Sequence, residues 1–89
     1  MGTVAVTLRI LPSEVETDFK KLEETITKQV PPRVKYKKSI IQPFAFGLKA
    51  MIAQFEMGDE EGVYDQLEEA LRGIPEVQGV ELLEMGRLM

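Results

Sequence analysis

A chain of 89 residues has room for one small domain with a modest core and little space for a deep, enclosed active site. It contains no cysteine and no histidine, which excludes disulfides and thiol nucleophiles and removes the commonest general base and metal ligand. A formal charge of −4, with 29% of residues charged, argues against a surface built to grip a phosphate backbone and points to a protein or small-molecule partner.

Residues 3–11, TVAVTLRIL, alternate strictly. Val4, Val6, Leu8 and Ile10 fall on one face and Thr3, Ala5, Thr7 and Arg9 on the other, the period of a half-buried strand. Pro12 and Ser13 end it. Ser13 with Glu16 fits a capping box, and Thr17 is an alternative cap for a later start. The helix that follows carries Val15, Phe19, Leu22, Ile26 and Val30 on one stripe, with Lys20, Lys21, Glu23, Glu24 and Lys28 toward water. Pro31 and Pro32 stop it, since neither donates the next backbone hydrogen bond.

A second strand is predicted from Arg33 to Gln42 and a third from Leu48 to Met57, joined by a connection from Pro43 to Gly47. The third is apolar at nearly every position, as a central strand covered by helices on one face requires. Gly58 and Asp59 read as the turn and cap of a second helix. Its stripe is Val63, Leu67, Ala70, Leu71 and Ile74, and its wet face is Glu60, Glu61, Asp65, Glu68 and Glu69. Gly73 and Pro75 close that helix, and Val77 to Met85 reads as the fourth strand. Met51, Met57 and Met85 are assigned to the core, and Gly86, Arg87, Leu88 and Met89 to a short tail. The order βαββαβ with right-handed crossovers gives a single domain over residues 1–89. It is an α+β ferredoxin-like sandwich whose four-stranded antiparallel sheet runs 4-1-3-2, with both helices on one face.

This fold hosts unrelated functions, so the site must be argued from residues. Arg33, Lys35, Lys37 and Lys38 alternate with Val34 and Tyr36, a pattern that suits an RNA-binding strand. It better suits an edge strand guarded by lysines, and the first strand offers no aromatic on which a base would stack. The acidic run Asp59, Glu60, Glu61 and Asp65 lacks calcium-loop spacing and reads as a solvated helix face, so no metal or cofactor is expected. The longest nearly uncharged stretch, 39–56, contains Gln42, Pro43, Gly47, Lys49 and Gln54 and is no membrane span, and with no signal-peptide pattern a cytoplasmic location is expected. The most informative segment is QPFAFGLKAM, where Phe44 and Phe46 stand in or beside a short connection. Each is either a plug returning to the core or an anchor for a partner's pocket.

Pro43, Phe46, Gly47, Leu48 and Lys49 follow the proline, aromatic, glycine, apolar and lysine pattern of the guanine nucleotide exchange domain of elongation factor 1-beta. Glu16, Thr17 and Asp18 with Lys21 to Glu24 are similar to the start of that family's first helix, and Val77 and Gln78 leading to Met85, Arg87 and Leu88 to its C-terminus. The chain thus resembles the archaeal form, which consists of this domain alone. The resemblance implies a non-enzymatic exchange of GDP for GTP on the GTPase elongation factor 1 alpha, with no direct contact to nucleic acid or membrane. It further implies that Phe46 inserts into the GTPase, with Phe44, Gly47 and Lys49 beside it, and that Arg87 stands where the family carries a lysine directed at the magnesium site. An RNA-binding module and a small-ligand regulatory domain are the alternatives that the same fold accommodates.

Overall fold

A computed structural model describes residues 2–14, 16–45, 47–58, 60 and 62–88. Its elements are β1 (Thr3–Pro12), α1 (Phe19–Gln29), β2 (Val34–Pro43), β3 (Lys49–Gly58), α2 (Val63–Arg72) and β4 (Val77–Leu88). The strands form one antiparallel sheet in the order β2-β3-β1-β4, which is the expected 4-1-3-2 arrangement counted from the other edge.

The alternation in β1 governs the layering. Val6, Leu8 and Ile10 are fully buried and Val4 nearly so, while Ala5, Thr7 and Arg9 are only half-buried. On β3 the same face carries Met51, Ala53, Phe55 and Met57. Leu22 and Ile26 of α1 and Val63, Leu67 and Leu71 of α2 join these residues in one cluster, so both helices cover that face. The other face is open. Phe19, Val30, Tyr36 and Tyr64 pack at the cluster's margin. The Tyr36 ring meets Phe55 edge-on at 5.7 Å, and its hydroxyl donates to Glu23 of α1 at 2.5 Å, tying the β2 edge to the helix layer. Burial and that carboxylate both raise the Tyr36 pKa, because each disfavours the phenolate.

Several element ends differ from the sequence reading. Neither Ser13 nor Thr17 caps α1. Asp18 does, with its carboxylate accepting the N–H groups of Lys20 and Lys21 at 3.0 and 3.3 Å. The Ser13 and Thr17 hydroxyls instead donate to the carbonyls of Glu76 and Glu14, leaving the ionised acceptor to take the orphan donors. Val30 ends α1 in an extended conformation, as the residue before a proline must. The start of α2 lies later than Gly58 because β3 stays paired with β1 through that residue. Gly62, at φ 86°, makes the turn into the helix without a side-chain cap. Val15, Asp59, Glu61 and Met89, assigned above to a helix stripe, a cap, an acidic face and a tail, lie outside the described residues.

β4 runs longer than its sequence pattern predicts. Instead of ending at Met85 it continues to Leu88, which pairs with Thr3, so Gly86 and Arg87 are strand residues and no tail. The partner strand β1 begins at Thr3 and offers backbone groups along its whole length. Leu83 is the extra residue of a bulge between the pairs Thr7–Glu84 and Leu8–Leu82. Met85 is 45% exposed and not core. A ten-residue helix is about 15 Å long whereas a twelve-residue strand runs about 40 Å, so α2 covers Val77 and Val80 but leaves the far half of this edge strand bare.

Replacing the cap, Asp18→Ala, should cost about 1 kcal/mol, and a melt followed by circular dichroism should show a midpoint lower by about 4–8 °C. Alkaline pH gives an independent check. Burial of Tyr64, and secondarily the Glu68 carboxylate, push its pKa up to about 12. Folding therefore favours the neutral phenol. The stability it contributes is complete below the ordinary tyrosine value near 10 and is lost as pH rises toward 12. Tyr64→Phe should flatten part of the decline measured by denaturant titration across that window.

Candidate functional site

The β2–β3 hairpin projects from one end of the sheet. Pro43 pairs with Lys49, the Phe44 N–H donates to the Leu48 carbonyl at 2.8 Å, and the Leu48 N–H donates to the Ala45 carbonyl at 2.9 Å. Gly47 sits at φ 80°, a left-handed conformation that explains a glycine at this turn. Lys49 is exposed as the first residue of β3. Phe44 is 45% exposed, so it is no core plug. Its ring lies over the Arg9 guanidinium, whose central carbon is 5.0 Å from the ring centroid. Phe46 lies outside the described residues.

Arg87 stands elsewhere. It is exposed and pairs with Val4, near the start of β1, whereas the hairpin extends past the level of Ile10. The two loci are separated by on the order of 25 Å along the strands, at about 3.3 Å per residue. The structure therefore brings Phe44, Gly47 and Lys49 together and sets Arg87 apart at the opposite end of the molecule. Arg87 forms part of the rim of a cavity of about 530 Å³ on the open face. Ala5 and Gly86, both small, lie along it, and Lys37, Lys38, Glu56 and Glu84 bring mixed charge to its edges. Lys37 and Glu56 form an ion pair there at 3.8 Å.

Among the described residues no three carboxylates stand close enough to hold a metal ion, and no helix is long and apolar enough to cross a membrane. Tyr36, the aromatic of the basic strand, is turned to the core against Phe55, and a ring so placed gives no stacking platform on the open face. What the arrangement presents is two separated exposed groups on one sheet, one aromatic and one cationic. The sequence reading missed the open-face cavity, the exposed group Leu82, Leu83 and Met85 on β4, and the partners of Arg9. The polar side of the β1 alternation marked Arg9 as outward-facing, but no sequence signal marked its partners.

A family model described as the EF-1 guanine nucleotide exchange domain matches residues 5–88. The chain belongs to this family. It is 38% identical over 89 residues to elongation factor 1-beta of Methanosarcina acetivorans, covering 99% of this chain and 100% of that protein. The protein of the same name from Methanococcoides burtonii is 39% identical over 87 residues, 98% of each chain, and that of Methanothermobacter thermautotrophicus is 34% identical over the full length of both. In kind, then, the molecule is a nucleotide-exchange factor of translation elongation. The matched span of the exchange domain includes both the hairpin and Arg87.

The exposure of Phe44 predicts the outcome of its removal. Phe44→Ala should leave the melting midpoint within a few degrees of the native value. Phe55→Ala, at a fully buried position, should cost about 3–5 kcal/mol and unfold much of the population at moderate denaturant.

Proposed function

We propose that residues 1–89 act as one exchange domain that binds elongation factor 1 alpha and speeds release of its GDP, without transforming the nucleotide. The observation carrying this reading is the family match over residues 5–88, which spans the hairpin and the C-terminal strand alike. Exchange needs no nucleophile, acid or base. It requires only that the factor bind the nucleotide-poor GTPase more tightly than the GDP-bound form, because a ligand shifts an equilibrium by its differential affinity.

In this proposal the two ends divide the work. Phe46, with Phe44, Gly47 and Lys49 around it, anchors the partner through an aromatic contact, the residue type that most often carries binding energy at interfaces. Arg87 brings a positive charge toward the magnesium and phosphate contacts of the GTPase, weakening them. A guanidinium is planar and bulkier than an ammonium, so it would compete for phosphate oxygens through its fork of donors. The reaction takes place where translation does, in the cytoplasm, and uses no cofactor of the factor's own.

Release of fluorescent GDP from a cognate elongation factor 1 alpha, followed with and without the chain, tests the reading, and a release rate indifferent to the chain overturns it. Phe46→Ala should raise the half-saturating concentration about tenfold or more, since anchors of this type are worth roughly 2 kcal/mol or above. Arg87→Ala should lower the maximal rate with the half-saturating concentration nearly unchanged, and Arg87→Lys should restore much of it. Point substitutions are the proper test. Truncation after Met85 would strip residues that pair with β1 and so confound function with stability.

A further inference from the structure

We infer that Arg9 is a positioning residue for exchange, holding Phe44 of the hairpin in a fixed pose from beneath while Glu81 of β4 holds Arg9. The inference rests on the function proposed above and extends it to residues on two other strands.

Arg9 lies on β1 opposite Ile52 of β3 and Glu81 of β4, so all three project from the open face. Its Nε donates to Glu81 Oε2 at 3.2 Å and its Nη2 donates to the same oxygen. Two donors on one carboxylate fix the plane of the guanidinium, as a single contact would not. The guanidinium carbon stands over the Phe44 ring, 5.0 Å from its centroid. Ala50, which faces the same way by register, is 1% exposed although Gln54 farther along that face is open to solvent. Phe44, opposite Leu48, and Arg9, opposite Ile52, stand on that same face on either side of Ala50 in register.

Neither interaction contributes much to stability. Both side chains of the ion pair are partly exposed, at 28% and 53%, and such pairs gain little in water. Their effect is on conformation. Phe44 follows the last residue of β2, and the turn closed by the Leu48 N–H to Ala45 bond begins at the next residue. An aromatic left to rotate in solvent would have to be ordered during docking, and prior ordering removes that cost. The Glu81–Arg9–Phe44 chain runs from the β4 edge to the base of the hairpin. It thus orients the hairpin relative to the whole sheet rather than to β2 and β3 alone.

The chain has no tryptophan, so Phe44→Trp introduces a single fluorescent reporter. Steady-state anisotropy and acrylamide quenching of that indole, without any partner, should show a more mobile and more accessible ring when Arg9→Gln is added, and Arg9→Lys should fall between. In the GDP-release assay on the native Phe44 background, Arg9→Gln should raise the half-saturating concentration about threefold with an unchanged maximal rate and melting midpoint, the scale of an exposed cation–π contact. Combining Arg9→Gln with Phe44→Ala should add nothing to Phe44→Ala alone. Indole mobility that ignores Arg9, additive effects in the double variant, or a half-saturating concentration unmoved by Arg9→Gln would each overturn the inference and leave the proposed function standing. A native chain that fails to accelerate GDP release removes both.

Discussion

The central strand β1 is the constraint on which the rest of the molecule depends. It pairs with β3 on one side and β4 on the other, and its four apolar side chains, Val4, Val6, Leu8 and Ile10, form the floor of the core. A slip of one residue in either pairing would turn Thr7 and Arg9 inward and expose the apolar set. The alternation therefore fixes register on both sides at once. Once that register is set, the positions of Phe44, Glu81 and Arg87 relative to one another follow from the ladder.

The same pairing explains how two edge strands can differ so much. On β2, Lys35, Lys37 and Lys38 line an outer edge that resists pairing with another sheet, and Tyr36 returns to the core to meet Phe55 and Glu23. On β4 the protection is a bulge at Leu83 and a hydrogen bond from Arg72 of α2 to the Val80 carbonyl at 3.0 Å. Beyond that point Leu82, Leu83 and Met85 stay exposed because α2 is too short to reach them.

Period carried most of the fold in the sequence. The 2-residue alternation of β1 and the 3.6-residue stripes Leu22–Ile26 and Val63–Leu67–Leu71 were legible because burial of one face dictates them. Element ends were less legible because they are settled by competition among neighbours. Asp18 displaced Ser13 and Thr17 as cap since those hydroxyls found carbonyls to donate to, one of them on Glu76, far along the chain. The extension of β4 to Leu88 was illegible for a related reason, since a strand stops where its partner stops, and Thr3 lies 85 positions away. Of the candidate site, the turn glycine Gly47 was readable from local chemistry, whereas the sequence left Phe44 open between a core plug and an exposed anchor, which its 45% exposure decides. The Arg9–Glu81 pair, 72 residues apart, existed only once β1 and β4 were in register.

Separation of the two loci bears on how a domain of this size could engage the partner proposed for it. An orientation set at one end is carried to the other by packed secondary structure, and here the path is a four-stranded sheet backed by two helices. The molecule is 41 Å along its longest axis and about half that across, with continuous strands running between the hairpin and the β4 terminus. Under the proposed function, binding at the hairpin therefore fixes where Arg87 arrives, and the precision of that arrival is limited by the softest link in the path. The strands are held by backbone ladders along their length, whereas beyond Pro43 and Lys49 the hairpin is held by the Phe44 N–H to Leu48 and Leu48 N–H to Ala45 bonds. Those bonds tie the hairpin to β2 and β3 alone, and a cation beside Phe44, itself paired with Glu81 on the far strand of the sheet, adds a hold that crosses β1 to β4.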